Sequence, residues 1–187
     1  MTRWVLLLLA LVSGFAVDSP QRQRDLDEIA KVATVMVDGD VCQRIVTERA
    51  LEHMSHQDPR DEYAAGDNYD VNDGAFIAVK KTLIRLAALA EYPVDVNLWM
   101  PVDKNRQRVH IVIRNRYEMS QFWEWGALEQ PMFPPMRTVL DTGKRLAVQQ
   151  KPGYFSVLAP VRNSLGDVVG LVEVVSQTQF DARENVK

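Results

Sequence analysis

The sequence is short of the residues that many scaffold and reaction chemistries need. It holds one cysteine, Cys42, so no disulfide can form within the chain. One thiol and three histidines supply a His/Cys zinc site poorly, because such a site takes several converging ligands. Cys-x-x-Cys and Cys-x-x-Cys-His are absent, which leaves thioredoxin-like redox chemistry and c-type haem attachment unsupported. Gly-x-Ser-x-Gly, a phosphate-binding glycine loop and His-Glu-x-x-His are also missing. No positive feature therefore points to an enzyme, and no cofactor is expected. A basic excess is lacking too: the formal net charge is −3. No surplus of cations is available to neutralise a phosphate backbone, so a nucleic-acid partner is not expected.

What is present is an ordinary globular balance, 47% hydrophobic and 25% charged residues. That excludes disorder throughout, a collagen-like repeat and a disulfide-built scaffold. The chain opens MTRWVLLLLALVSGFAVDSP. Arg3 precedes an apolar or small stretch from Trp4 to Val17, and Gly14 and Ala16 are the small residues of a cut after Ala16. This is the pattern of a secretory signal peptide over residues 1–16, and the run is shorter than the roughly 20 residues of a spanning helix. An uncleaved anchor is the alternative. The expected mature protein is one domain, 17–187, periplasmic or secreted. Loss of Arg3 leaves one fewer than the 22 basic residues against 25 acidic ones, a formal charge of −4. A lone thiol outside the cytoplasm is best kept buried.

Apolar spacing of three and four residues predicts helices over 20–37 (Leu26, Ile29, Met36) and 40–55 (Val41, Ile45, Met54). A third runs from about 73, through Phe76, Leu83 and Ala90, until Pro93. Residues 56–73 are polar and turn-rich, a long loop of the kind that covers a site. The period then changes to two. In VDVNLWM, Val94, Val96, Leu98 and Met100 face one way, and Asp95, Asn97 and Trp99 the other. In RVHIVIRNRY, Val109, Ile111 and Ile113 oppose His110, Arg114 and Arg116. PPMRTVLDTGKR reads as a helix with prolines at its start and Gly143 at its exit. LAVQQ, GYFSVLAPVRN and VVGLVEVVSQ read as three further strands. The fold class is α+β: a single five-stranded antiparallel sheet with a long N-terminal helix and flanking helices.

The phrase YFSVLAPVRNSLGDVVGLVEVV carries a resemblance. Ala159-Pro160-Val161, Gly166 and Gly170 stand where a strand, a glycine turn and a Val-rich return strand stand in the extracytoplasmic PAS-like sensor domains called Cache domains. The long helix directly after the targeting segment is similar as well. The resemblance implies a PAS/Cache-like sheet, a small-molecule ligand such as a carboxylate or amino acid, and a role in sensing or signal transduction. Most such domains stand ahead of a kinase, cyclase or chemotaxis module. Here nothing follows residue 187, so a free-standing domain reporting to a membrane receptor or kinase partner is expected.

The ligand-binding candidates are Trp99, Arg114, Arg116, Tyr117, Trp123, Trp125, Tyr154 and Ser156. A fixed guanidinium recognises a carboxylate at two points, and aromatic walls add apolar area or hold a cation. The same residues could equally cap a core. Two alternatives therefore stay open. One is a protein-interaction module of the same fold with a filled pocket, pairing with another copy as a homodimer through the N-terminal helix. The other is a small extracytoplasmic enzyme using the region of His53 and His56 or of Cys42. Asn68, Asp70 and Asn72 alternate as calcium ligands would, yet Asp73 and Val79 stand where an EF-hand needs glycine and glutamate. A loop ending in a helix cap accounts for them. No metal is expected at that loop or at the histidines.

Overall fold

The computed structural model describes residues 19–55, 73–123 and 130–178. The signal-peptide reading of residues 1–16, the loop reading of 56–72 and Trp125 lie outside them. The elements are α1 (Ser19–Met36), α2 (Gly39–Gln43), α3 (Glu48–Ser55), α4 (Asp73–Ala87), β1 (Asp95–Pro101), β2 (Arg108–Ile113), β3 (Gln130–Pro131), α5 (Pro134–Thr142), β4 (Leu146–Val148), β5 (Tyr154–Arg162) and β6 (Val168–Gln177). The fold is α+β, with one curled antiparallel sheet in the order β3-β2-β1-β6-β5-β4. Among the described residues it has six strands rather than five. The added strand is a two-residue pairing, with Gln130 opposite Val109 and Pro131 opposite Arg108. Two residues are too few to show an alternating pattern.

Three boundaries also differ from the sequence expectation. The helix expected over 40–55 is two helices. Asp38 caps α2 by accepting from Asp40 N and Val41 N, and the turn at Arg44–Val46 closes it before Thr47 opens α3. The helix before Pro93 stops at Ala87, because residues 88–92 turn to bring the chain into β1. In β2 the strict alternation fails: Val109 and Ile111 face one side, whereas Val112 and Ile113 both join the other core cluster. The register slips between Leu98 and Trp99, and such a slip locally breaks the side-to-side alternation.

The two hairpins meet through β1 and β6, so the sheet's centre is built from its first and last long strands. Both are buried on both faces. On one face, Val96, Leu98, Val157, Ala159, Val172 and Val174 pack under α1, α2 and α4. α1 contributes Leu26, Ile29, Ala30 and Ala33, spaced three and four apart as a buried helix stripe requires. It also buries Arg22, whose guanidinium lies 4.4 Å from the centre of the Tyr92 ring and donates to Ser176 Oγ at 2.6 Å. The opposite face holds Trp99, Ile111, Leu158 and Leu171 under α5, through Met136, Val139 and Leu140. α5 has its prolines in the first turn and Gly143 at the left-handed C-cap (φ 62°). Among the described residues no helix is long and apolar enough to cross a membrane.

Candidate functional site

The α5 face of the sheet carries polar side chains beside its apolar ones. Asp95 and Asn97 of β1, Ser156 of β5 and Glu173 of β6 are all buried there. Asn97 lies directly opposite Glu173 in the ladder, and Leu158 flanks Glu173 on the other side. Both β1 and β6 are interior strands, so these carboxylates must find their partners inside the protein.

Their partner is the chain that follows β2. Residues 115–121 cross this face as a strap whose alternate peptide N–H groups point at the sheet. Asn115 N donates to Asn97 Oδ1 at 3.2 Å, Tyr117 N to Asp95 Oδ1 at 3.1 Å, Met119 N to Asp95 Oδ2 at 2.8 Å, and Gln121 N to Glu173 Oε1 at 2.8 Å. Asn97 Nδ2 returns a bond to Met119 O at 2.7 Å. Glu118, at φ 54°, gives the strap the turn that brings Met119 and Ser120 inward.

Ser120 and Gln121 complete the attachment. Ser120 Oγ donates to Glu173 Oε2 at 2.6 Å while accepting from Phe122 N and Trp123 N. Trp99 Nε1 donates to the same carboxylate oxygen at 3.1 Å. Gln121 Nε2 donates to Val148 O at 2.7 Å and Ser156 Oγ at 2.5 Å, and its Oε1 accepts from Gln150 N and Lys151 N. Phe122 then meets Trp99 edge to face and packs on Phe133. Met119, Ser120, Gln121 and Phe122 are each at most 5% exposed.

Hydrogen-bond donors, not cations, satisfy the two carboxylates: among the described residues no ion pair includes Asp95 or Glu173. Burial pushes both carboxyls above the ordinary range, and the donors pull them part of the way back. For Asp95 those donors are the Met119 and Tyr117 amides, with nearby Glu118 pushing up again. For Glu173 they are Ser120, the Gln121 amide, Trp99 and Asn97.

The sequence candidates fall into three groups. Trp99 and Ser156 lie under the strap and bind it. Tyr117 and Trp123 belong to the strap's own chain through their amides. Arg114 stacks 4.3 Å from the Trp123 ring centre and pairs with Glu118 at 3.5 Å. Arg116 is exposed, over its neighbour Tyr117, and Tyr154 stands at the start of β5 beside Lys151. The arginines follow β2 and do not extend it. Asp95, Asn97, Ser120, Gln121 and Glu173 were not among the candidates. The signal for Glu173 was there: one acid among the apolar residues of VVGLVEVV.

The regions behind the enzyme alternative are placed as follows. Cys42 is fully buried, and burial, then the Asp38 charge, push its thiol up to about 12, so it stays protonated at neutral pH. His56 and the acidic stretch before Asp73 lie outside the described residues. Among the described residues no three His, Cys, Asp or Glu side chains group as metal ligands. The chain matches no protein-family model, no curated protein and no solved structure.

Proposed function

We propose that this chain is an exported PAS/Cache-like module that acts by protein contact, with its pocket side filled by its own strap. The observation that carries this reading is the occupancy of the α5 face. Asp95, Asn97, Ser156 and Glu173 on that face are each hydrogen-bonded to residues 115–121. The single antiparallel sheet with the long helix α1 across its other face supports the PAS/Cache-like reading, and the 1–16 pattern supports export.

The contact surface is the last turns of α1. Val32, Val35 and Met36 are exposed, Val35 at 82%. The partner is a second copy. A two-fold axis between Val32 and Val35 sets each valine against the other's counterpart, as a self-complementary interface requires. Sedimentation equilibrium tests this. The wild type should show a concentration-dependent dimer, and Val35→Lys should be monomeric with an unchanged melting temperature. A wild type that stays monomeric up to about 100 μM, a weak association by affinity arithmetic, overturns the contact reading. A carboxylate or amino acid that raises the melting temperature of that monomer would restore the small-molecule reading.

A further inference from the structure

We infer that a cleft between α1 and the α5–β4 connection is a binding site for a compact oxyanion, carboxylate or phosphate. The inference is independent of the strap and of the dimer. β4 begins at Leu146, opposite Leu158, so among the described residues the rest of β5 has no strand beside it on that edge. A cleft of about 450 Å³ opens there, lined by Asp27 and Thr34 of α1, by Lys144 and Arg145, and by Arg162 at the end of β5.

Three cations and one carboxylate line this cleft, in a chain whose overall charge is negative. Two of the cations are already held in place. Arg162 donates to Gly166 O at 2.7 Å and to Gly143 O at 3.1 Å. Arg145 is gripped by Asp27 in fork geometry, Nε to Oδ1 at 3.0 Å and Nη2 to Oδ2 at 3.2 Å. Each guanidinium keeps further N–H donors, and a fixed fork loses little freedom on binding an oxyanion. Lys144 is exposed and adds a mobile point charge. Thr34 Oγ1 already donates to Lys31 O at 2.7 Å, so toward the cleft it offers lone pairs and not a proton. Recognition therefore falls to the cations.

Asp27 is the site's internal competitor: its carboxylate already sits on Arg145 as a ligand carboxylate would. That gives the inference a signature that general surface charge does not share. Removing Asp27 should tighten anion binding, and removing Lys144 or Arg145 should weaken it.

The test titrates the exported chain with inorganic phosphate and with citrate, at ionic strength held constant with chloride, and follows amide shifts by NMR. The expected result is saturable binding of at least one anion, with the largest shifts at Gly143, Lys144 and Arg145. Citrate alone identifies a carboxylate site and phosphate alone a phosphate site. Lys144→Gln should lose roughly tenfold in affinity, the worth of one charge-assisted bond. Asp27→Asn should bind more tightly, with the melting temperature of each variant recorded as the fold control. Shifts that do not saturate, shifts spread over all basic side chains, or an Asp27→Asn affinity equal to or below that of the wild type would overturn the inference.

Discussion

Replacing Glu173 by glutamine tests the strap most directly, because it changes one atom's chemistry and almost no volume. The carboxylate accepts from Gln121 N on Oε1, and from Ser120 Oγ and Trp99 Nε1 on Oε2. Glutamine has a single oxygen. Its cheaper orientation keeps the Ser120 and Trp99 bonds and turns the amide nitrogen toward Gln121 N–H. Two buried donors then lack an acceptor, at about 1–3 kcal/mol each. Relief of the buried charge offsets part of this, so the expected net loss is roughly 2–3 kcal/mol at pH 7. The pH dependence has a definite sign. The folded state holds the Glu173 proton more tightly than the unfolded chain does. Wild-type stability from this group is therefore fully present below the unfolded pKa and is lost as pH rises through the folded one. The glutamine variant has no such term. The gap between wild type and variant should thus be widest near pH 4, about the ordinary glutamate value, and narrow toward neutral. Urea unfolding across that range measures it, and hydrogen exchange at the Tyr117, Met119 and Gln121 amides reports strap docking. The reasoning fails if the variant loses less than about 0.5 kcal/mol, the ordinary scatter of surface changes, and the three amides keep wild-type protection. It also fails if the gap widens as pH rises.

Four further outcomes follow from the packing. Gly39→Ala should cost about 1–3 kcal/mol or more, because an added Cβ meets the Arg162 carbonyl oxygen and lies 2.7 Å from Asn163 N, backbone that cannot swing away. Gly166→Ala has open space but a φ of 86°, so it should cost only about 1–2 kcal/mol of left-handed strain; urea midpoints rank the two. Leu83→Ala, at a fully buried α4 position, should lose about 2–5 kcal/mol in the same assay. The Cys42 thiol should resist a maleimide at pH 8 in the folded protein and react once urea unfolds it; rapid native labelling would contradict its burial and raised pKa.

Periodicity made the long elements legible. α1, α5 and the five strands other than β3 follow from apolar spacing and from proline and glycine at the ends of α5. Each of those signals acts within a few residues, where backbone geometry and the hydrophobic stripe agree. The split of 40–55 was less visible, because Asp38 and the Arg44–Val46 turn act through single hydrogen bonds that leave the apolar period intact. The slip between Leu98 and Trp99 is a pairing event between two strands, and neither strand's pattern contains it.

The site was legible in part. Aromatic and arginine residues point to the stretch 114–123, and that stretch forms the strap. The contacts the structure shows there are backbone amides on buried carboxylates, which no residue pattern in 114–123 announces. Trp99 and Ser156 are ligand-contact candidates in the sequence, and in the structure they touch the protein itself. By itself, then, the sequence determined α1, α5, the strands other than β3, the faces of β1 and the acidic balance of the chain, because these depend on neighbours a few residues apart. Only the tertiary structure decided that β1 and β6 lie at the centre of the sheet. That placement buries Asp95 and Glu173 on both sides, and a buried carboxylate must be given donors. The chain supplies them from a strap 22 to 53 residues away in sequence, a separation over which no local pattern can be read.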